Sequence, residues 1–261
     1  MHSKEEKIQE FGRLLDIMAE LRVKCPWDKK QTFDSLRTCT IEEVFELTDA
    51  IAQKDMQAIC KEIGDILLHA VFYSQIGSET DDFDIFDVCH ALNEKLIYRH
   101  PHVFGQVNAD NAKIVEQNWE RLKLKEKDGN KSVLAGVPAA LPAMIKAHRI
   151  QDKARSIGFD WEERGQVWSK VAEEISELKT EIDAMDKDKM EDEFGDVIFS
   201  LINACRLYDI DPENALEHTN RKFISRFNYL ESKTIAQGRD LKSMTLDEME
   251  EIWQEAKTIK N

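Results

Sequence analysis

The sequence predicts an all-α protein built from two tandem copies of one helical domain. Apolar residues recur at the three- and four-residue spacing of amphipathic helices, whereas the alternation typical of strands is scarce. Only 10 Gly and 5 Pro occur among 261 residues, so few positions interrupt helices. A series of charged motifs also occurs twice, in the same order and at nearly constant offset, which indicates a duplication.

Helical periodicity is clearest in three segments of the first copy. Their apolar positions are Leu14, Ile17, Met18 and Leu21, then Val44, Leu47 and Ile51, then Ile63, Ile66, Leu67 and Ala70. Each copy is predicted to contain about four main helices, with turns near Asp55, Asp82, Asp186 and Asp211. In the second copy we expect Asp211 to cap a helix that begins at Pro212.

Four motif pairs define the repeat. They are Glu42-Glu43-x-x-Glu46 with Glu173-Glu174-x-x-Glu177, Glu62-x-Gly64-Asp65 with Glu193-x-Gly195-Asp196, Asn93-x-Lys95-x-x-x-Arg99 with Asn220-x-Lys222-x-x-x-Arg226, and Trp119-x-x-x-Lys123 with Trp253-x-x-x-Lys257. The offsets are 131, 131, 127 and 134 residues, so length changes are confined to loops. Gly and Pro concentrate between residues 127 and 143. We therefore predict domains at 1–128 and 143–261, joined by a linker at 129–142.

Composition excludes several classes of function. Acids outnumber Lys and Arg by 51 to 36, a formal net charge of −15, so stable nucleic-acid binding is not expected. No apolar run approaches the roughly 20 residues that span a bilayer, and the charged N-terminus does not resemble a signal peptide. The five cysteines show neither CxxC nor zinc-finger spacing. We expect free thiols, a cytoplasmic location and no membrane association.

Each copy carries two acid pairs at three-residue spacing, which places both members of a pair on one helix face. In the second copy these pairs are Glu174 with Glu177 and Glu193 with Asp196. The 16 positions between Glu177 and Glu193 allow an antiparallel hairpin that brings four carboxylates together. Because carboxylates repel one another, and because hard oxygen ligands suit Mg²⁺ or Mn²⁺, we predict a divalent metal site. The first-copy equivalents are Glu43, Glu46, Glu62 and Asp65.

An isolated Glu-x-x-Glu pair usually marks a solvated helix face. The metal interpretation gains weight because these acids alternate with apolar residues expected in the core, namely Val171, Ile175, Leu178, Phe194, Val197 and Ile198. Gly64 and Gly195 each lie between two of the acids. Their missing side chains would admit either a metal-bound group or another helix, and both interpretations remain open.

Other classes of site fit less well. A di-iron carboxylate bundle needs Glu-x-x-His twice, and no histidine follows a glutamate by three positions. The His-Asp dipeptide of another phosphohydrolase class is absent, as are GxxxxGK[ST] and GxGxxG. The sequence therefore favours neither a P-loop nor a Rossmann site for nucleotides.

Basic residues accompany the acid pairs of the second copy. Lys222 and Arg226 stand four positions apart on one predicted helix, while Lys170 and Lys189 each lie one turn before an acid of the cluster. A metal ion with neighbouring basic side chains is typical of sites for polyphosphate esters, because together they neutralise the charge of the phosphates. The alternative interpretation of any single lysine is that it forms a surface salt bridge and does not contact a ligand.

These ordered motifs resemble the MazG family of all-α nucleoside triphosphate pyrophosphohydrolases, in which EExxE precedes ExxD. The similar segments are CPWDKKQTFDSL, EEVFELTDAI, KEIGDILLHAVFYSQI and RHPHVFG in the first copy, and GFDW, EEISEL, EFGDVIFSLINACR, NRKFISRF and EEIWQEAK in the second. The linker GVPAALPAMIKAHRIQDKA is similar too, so the resemblance covers nearly the whole chain.

The resemblance implies Mg²⁺-dependent cleavage of nucleoside triphosphates between the α and β phosphates, giving the monophosphate and pyrophosphate. It also implies a homodimer whose helices complete four-helix-bundle cores. The implied metal ligands are Glu174, Glu177, Glu193 and Asp196, with Lys170, Lys189, Lys222, Arg226 and Trp253 against the nucleotide. Glu173 would orient the attacking water. Trp253 either stacks on a base or packs the C-terminal helix.

The copies diverge after the Lys-Arg pair. Pro101 must end or kink the first-copy helix directly after Arg99, whereas the sequence after Arg226 is compatible with an unbroken helix. We therefore expect the C-terminal copy to be the main catalytic one and the N-terminal copy to be structural, regulatory or differently specific. The alternative for the whole protein is a non-catalytic nucleotide-sensing or partner-binding module.

Overall fold

The structure, a computed structural model, describes residues 1–105, 122 and 132–259. Over these residues all regular structure is helical, with ten α-helices, which confirms the all-α prediction. The chain divides into two compact units, Met1–Ala109 and Asp110–Asn261. The predicted domain limits at 128 and 143 stay predictions. Trp119, Lys123 and the first linker residues, 129–131, lie outside the described residues.

The first unit contains five described α-helices, of which the second and third pack against each other. Its helices are α1 (Lys4–Lys24), α2 (Phe33–Gln53), α3 (Met56–Ser78), α4 (Ile85–Arg99) and α5 (Pro101–Phe104), with a 3-10 turn at Asp28–Lys30. A cluster of buried side chains from α1, α2 and α3 forms the core, made of Met18, Leu36, Val71, Phe72 and Ile76. The hydroxyls of Thr40 and Tyr73 are 2.7 Å apart and join α2 to α3.

The second unit also contains two long consecutive helices that pack against each other. Its helices are α6 (Ala143–Ser156), α7 (Gln166–Ala184), α8 (Lys187–Leu207), α9 (Pro212–Ala236) and α10 (Leu246–Thr258), with a 3-10 turn at Leu241–Ser243. Helix α7 packs along α8, and α9 packs along α10. Leu230, Met244 and Ile252 form a buried cluster between α9, the 3-10 turn and α10.

The turns of the two acid-bearing hairpins have the same backbone geometry. Lys54 ends α2 in the left-handed region at φ 58°, and Met185 ends α7 there at φ 56°. The next residues, Asp55 and Asp186, cap α3 and α8 with their carboxylates. Both pairs are related by the offset of 131, so the duplication inferred from sequence extends to the turn conformation.

Two sequence predictions about helix ends are confirmed. Helix α4 ends at Arg99, and Pro101 begins the separate four-residue helix α5. Helix α9 instead continues unbroken past Arg226, and it begins at Pro212 with Asp211 as its cap. The helix that carries the basic pair is therefore longer in the second unit.

The predicted core of the acid-bearing helices was partly wrong. Val171 and Leu178 are buried, but Ile175 is 37% exposed, and Phe194 and Ile198 are half exposed. A two-helix hairpin buries only the side where its helices meet, so apolar residues on the opposite side are not covered by the described residues. The described residues include no helix with the length and apolar character needed to cross a membrane. All five cysteines are free, as predicted.

Candidate metal and nucleotide site

Three of the four predicted N-terminal acids converge in the first unit. Oxygens of Glu43 on α2 and of Glu62 and Asp65 on α3 all lie within 4.8 Å of one another. Glu62 is buried, with 6% of its surface exposed. Glu46 is exposed and lies outside this group. Its carboxylate is 4.0 Å from the ammonium of Lys61, and the same ammonium contacts Glu62 and Asp65 on α3.

The C-terminal cluster has a related arrangement. Oxygens of Glu174 and Glu177 on α7 and of Glu193 on α8 lie within 4.8 Å of one another. Asp196, one turn after Glu193, is exposed and outside this group. The hairpins thus bring six of the eight predicted acids into two groups, and each group combines both helices of its hairpin.

Repulsion within the clusters changes the proton affinity of the acids. Burial raises the pKa of Glu43, and the neighbouring charge of Asp65 raises it further. A hydrogen bond with Glu174 raises the pKa of Glu177, and burial adds to the effect. Burial also raises the pKa of Glu193, together with the surrounding carboxylates. Each cluster therefore favours the binding of a proton or another cation.

The C-terminal acids fit a hard divalent cation. Oxygens that lie within 4.8 Å of one another can share one ion at the usual metal–oxygen distances. In addition, Glu193 Oε2 is buried and has no hydrogen-bond partner among the described residues. A buried carboxylate oxygen without a partner is costly, and a bound cation would satisfy it.

A lysine ammonium lies at each cluster. In the second unit, Lys170 Nζ lies 2.8 Å from Glu173 Oε1 and 2.7 Å from Glu174 Oε1. The hydrogen bonds that Lys170 donates to these two acids strongly raise its pKa. In the first unit this role falls to Lys61, which sequence reasoning missed. The available signal was a basic residue directly before the Glu-x-Gly-Asp motif.

The predicted nucleotide-binding residues on α9 and α10 form a second feature. The guanidinium carbon of Arg226 lies 6.0 Å from the centroid of the Trp253 ring. Phe223, not predicted, lies against the same indole with ring centroids 5.0 Å apart and planes at 56°. In the described part of the chain, neither Lys222 nor Arg226 forms an ion pair, so both charges can meet an anionic ligand.

Lys189 pairs with two acids that are not members of the cluster. Its ammonium is 3.7 Å from Glu181 and 3.5 Å from Asp186, at the start of α8. The side chain is 63% exposed, so these pairs are weak and a triphosphate could replace them.

The N-terminal site has a feature without a C-terminal counterpart. His69 lies one turn after Asp65, is 8% exposed, and has a buried Nδ1 without a hydrogen-bond partner in the described residues. The residue 131 positions later is Ser200, which donates a hydrogen bond to its own helix. A groove of about 390 Å³ opens beside this site, with Glu46 and Glu62 in its wall.

Comparison with known proteins supports the resemblance. The family model of the MazG nucleotide pyrophosphohydrolase domain matches residues 31–104 and 165–230. Nucleoside triphosphate pyrophosphohydrolase of Escherichia coli K12 is 40% identical over 96% of this chain and 98% of its own length. The Thermotoga maritima nucleoside triphosphate pyrophosphohydrolase/pyrophosphatase MazG is 42% identical over 95% of both chains. The uncharacterized protein YabN of Bacillus subtilis is 43% identical over 97% of this chain and 53% of its own.

The two family matches include both acid clusters and the Lys222–Arg226 pair, while Trp253 lies beyond them. Each match also contains one hairpin with the shared turn geometry. The chain therefore belongs to the MazG nucleotide pyrophosphohydrolase family and carries its domain twice.

Proposed function

We propose that the chain hydrolyses nucleoside triphosphates between the α and β phosphates, giving a nucleoside monophosphate and pyrophosphate. The observation that supports this best is the C-terminal carboxylate cluster on α7 and α8, in which three acids from both helices converge beside Glu173. The family match and the full-length relatives with this activity in their names point the same way.

Mg²⁺, with Mn²⁺ as the alternative, is the proposed cofactor. The ligands would be Glu174, Glu177, Glu193 and Asp196 in the C-terminal copy, and Glu43, Glu46, Glu62 and Asp65 in the N-terminal copy. When bound, the ion would neutralise part of the triphosphate charge and act as a Lewis acid on the phosphoryl group.

The remaining roles belong to the chain. Glu173 is exposed next to the cluster and would hold the attacking water and accept its proton. Lys222 and Arg226 would neutralise charge on the phosphates, and Lys189 would add a third cation. Trp253 would present its ring to the base. The reaction consumes one water and breaks the α–β anhydride bond.

We assign most of this activity to the C-terminal copy. In the N-terminal copy the helix with the basic pair ends at Arg99, and Lys61 already binds the acids. Glu177→Ala should lower the rate of pyrophosphate release from ATP about 100-fold, whereas Glu46→Ala should change it less than about threefold. Equal losses from both variants would contradict the assignment.

A nucleotide-sensing role is the second candidate, and Lys61 within the N-terminal acids favours it for that copy. Incubation of the wild type with ATP and Mg²⁺, followed by chromatography, separates the two functions for the whole chain. Formation of AMP supports hydrolysis, and its absence supports sensing.

We further propose that the protein is a cytoplasmic homodimer. Apolar side chains on the outer faces of both hairpins are about half exposed, as for Phe45, Ile63, Phe194 and Ile198. Exposed apolar surface on a helix pair is typical of subunit interfaces. The molar mass from light scattering should be twice the 30.2 kDa of one chain.

A further inference from the structure

Lys61 holds a position between the two helices of the N-terminal acid cluster. Its ammonium lies 2.9 Å from Glu62 Oε1, 3.4 Å from Asp65 Oδ2 and 4.0 Å from Glu46 Oε2. It also donates to the second oxygen of Glu62 at 3.1 Å. One positive charge thus touches three of the four carboxylates predicted to bind metal in this copy.

The C-terminal copy differs at the equivalent position. The offset of 131 places Asp192 there, so a cation in one copy corresponds to an anion in the other. The ammonium near the C-terminal cluster comes instead from Lys170, whose contacts are Glu173 and Glu174 of its own helix. Within the described residues, Glu193 and Asp196 form no ion pair, and Glu193 Oε2 has no hydrogen-bond partner.

We propose that the residue at positions 61 and 192 sets the affinity of each copy for divalent cations, and that Lys61 weakens metal binding in the N-terminal copy. This inference rests on the metal sites of the proposed function. An ion that binds Glu62 and Asp65 must separate both from Lys61 and then lie close to a fixed positive charge. In the C-terminal copy Asp192 adds negative charge near Glu193 and Asp196, which correspond to Glu62 and Asp65.

The expected effect is a difference in affinity rather than exclusion of metal. Lys61 is 65% exposed, so its side chain can turn into solvent when a cation arrives. Exposed ion pairs are individually weak and screened by salt. Metal should therefore fill the C-terminal site first, which directs the metal complex of the triphosphate to the copy with the unbroken basic helix.

A charge exchange tests the inference without any measurement of activity. The metal probe is Mn²⁺ alone, with free Mn²⁺ quantified by electron paramagnetic resonance at constant ionic strength. Lys61→Asp is measured in a Glu174→Gln/Glu193→Gln background, so that only the N-terminal site binds. We expect about tenfold tighter binding than in the background alone. Lys61→Met, which removes the positive charge without adding a negative one, should give Mn²⁺ binding about threefold tighter than in the background.

The reciprocal variant and a control complete the design. Asp192→Lys in an otherwise wild-type chain should weaken C-terminal binding about tenfold. Lys7→Asp, an equal charge change on the exposed part of α1, should leave N-terminal binding within twofold. Circular dichroism verifies that every variant is folded.

The outcomes separate the two proposals. If Glu174→Gln/Glu193→Gln removes no Mn²⁺ binding from the wild type, the proposed C-terminal metal site is wrong. The other outcome is that Glu174→Gln/Glu193→Gln loses one class of Mn²⁺ site, but the N-terminal site binds Mn²⁺ no tighter with Lys61→Asp than with Lys7→Asp. In that case the role of Lys61 is overturned and the proposed C-terminal metal site stands.

Discussion

Glu193 on α8 faces Glu174 on α7, with carboxylate oxygens within 4.8 Å of each other, and Glu193 Oε2 is buried without a hydrogen-bond partner in the part of the chain that the structure describes. Like charges at this separation oppose each other, and burial increases the cost of both. The hairpin keeps them together because apolar contacts such as those of Val171 and Leu178 hold its helices. The cluster therefore stores an unfavourable interaction that a cation relieves.

The first prediction concerns the pH dependence of stability without metal. The pKa of Glu193 is raised above its ordinary value of 4.5, so the folded chain binds more protons than the unfolded chain above that pH. Its contribution to stability consequently falls as pH rises from about 4.5 through the raised folded-state pKa. Glu193→Gln removes this loss. With EDTA present, the Tm of the variant relative to wild type should increase from pH 4.5 to pH 7.

The matched control is Glu191→Gln, which changes an exposed acid on the same helix. Its Tm difference from wild type should stay nearly constant over the same range. Addition of Mn²⁺ at pH 7 should raise the Tm of wild type more than that of Glu193→Gln, since only the former keeps all proposed ligands. A pH-independent difference for Glu193→Gln would contradict the raised pKa.

Much of the fold could be predicted because helical periodicity and capping are local properties of the sequence. Asp211 with Pro212 marks a helix start, and Pro101 marks a helix end, whatever the rest of the chain does. The convergence of acids from two helices was also predictable, since the spacing between motifs allows a hairpin. These inferences needed no knowledge of tertiary contacts.

The remaining features depend on which side of a helix is covered. Phe194 and Ile198 follow a core-like pattern, yet they are half exposed because no other described helix of the chain covers them. Lys61 precedes its motif in a position where a surface lysine is the ordinary expectation. Its reach toward Glu46 on the neighbouring helix follows only from the packing of the hairpin.

The second prediction concerns the aromatic group on α9 and α10. Trp253 lies beside Phe223 and near the guanidinium of Arg226. This arrangement suits a nucleotide whose base stacks on the indole ring and whose phosphates contact the guanidinium. Trp253→Ala should raise KM for ATP by about 10- to 100-fold, because stacking contributes about 1–3 kcal/mol per base. Steady-state kinetics with Trp253→Phe should show a smaller increase.

The comparison for this prediction is Trp168→Ala. Trp168 is exposed and its indole N–H donates to the hydroxyl of Tyr208, which follows the last residue of α8. KM should be unchanged in this variant. Should Trp253→Ala lower the Tm while leaving KM as in wild type, the indole serves only to pack α10.

The third prediction addresses the glycines between the acids. Among the described residues, a Cβ at Gly64 or Gly195 would meet no atom within 4 Å beyond the backbone of its own helix. Since Ala is favoured over Gly in a helix by about 1 kcal/mol, Gly195→Ala should raise the free energy of unfolding by up to that amount. Urea denaturation monitored by circular dichroism measures it, with Gly64→Ala as the internal comparison. Destabilisation instead would indicate that another helix of a second chain approaches Gly195 closely.

The fourth prediction concerns a buried ion pair that anchors the segment before α7. Arg206 on α8 is 3% exposed and binds Asp160 through two guanidinium nitrogens, while Asn203 accepts two further hydrogen bonds. Burial alone would raise the pKa of Asp160. The hydrogen bonds from Arg206 and from the backbone N–H of Trp161, together with the neighbouring positive charges, outweigh burial and lower the pKa. This contribution to stability is present above the ordinary value of 3.8 and is lost as pH falls through the lowered pKa.

Asp160→Asn should therefore be strongly destabilising, because it leaves the buried guanidinium without its counter-charge. Loss of one partner of a buried pair costs about 3–5 kcal/mol, and denaturant unfolding at pH 7 measures it. Arg164→Gln breaks the exposed pair with Asp209, where the side chains are 61% and 78% exposed, and should cost less than about 1 kcal/mol. Comparable losses from the two variants would mean that Arg206 is solvated in the folded protein and that Asp160 does not anchor this segment.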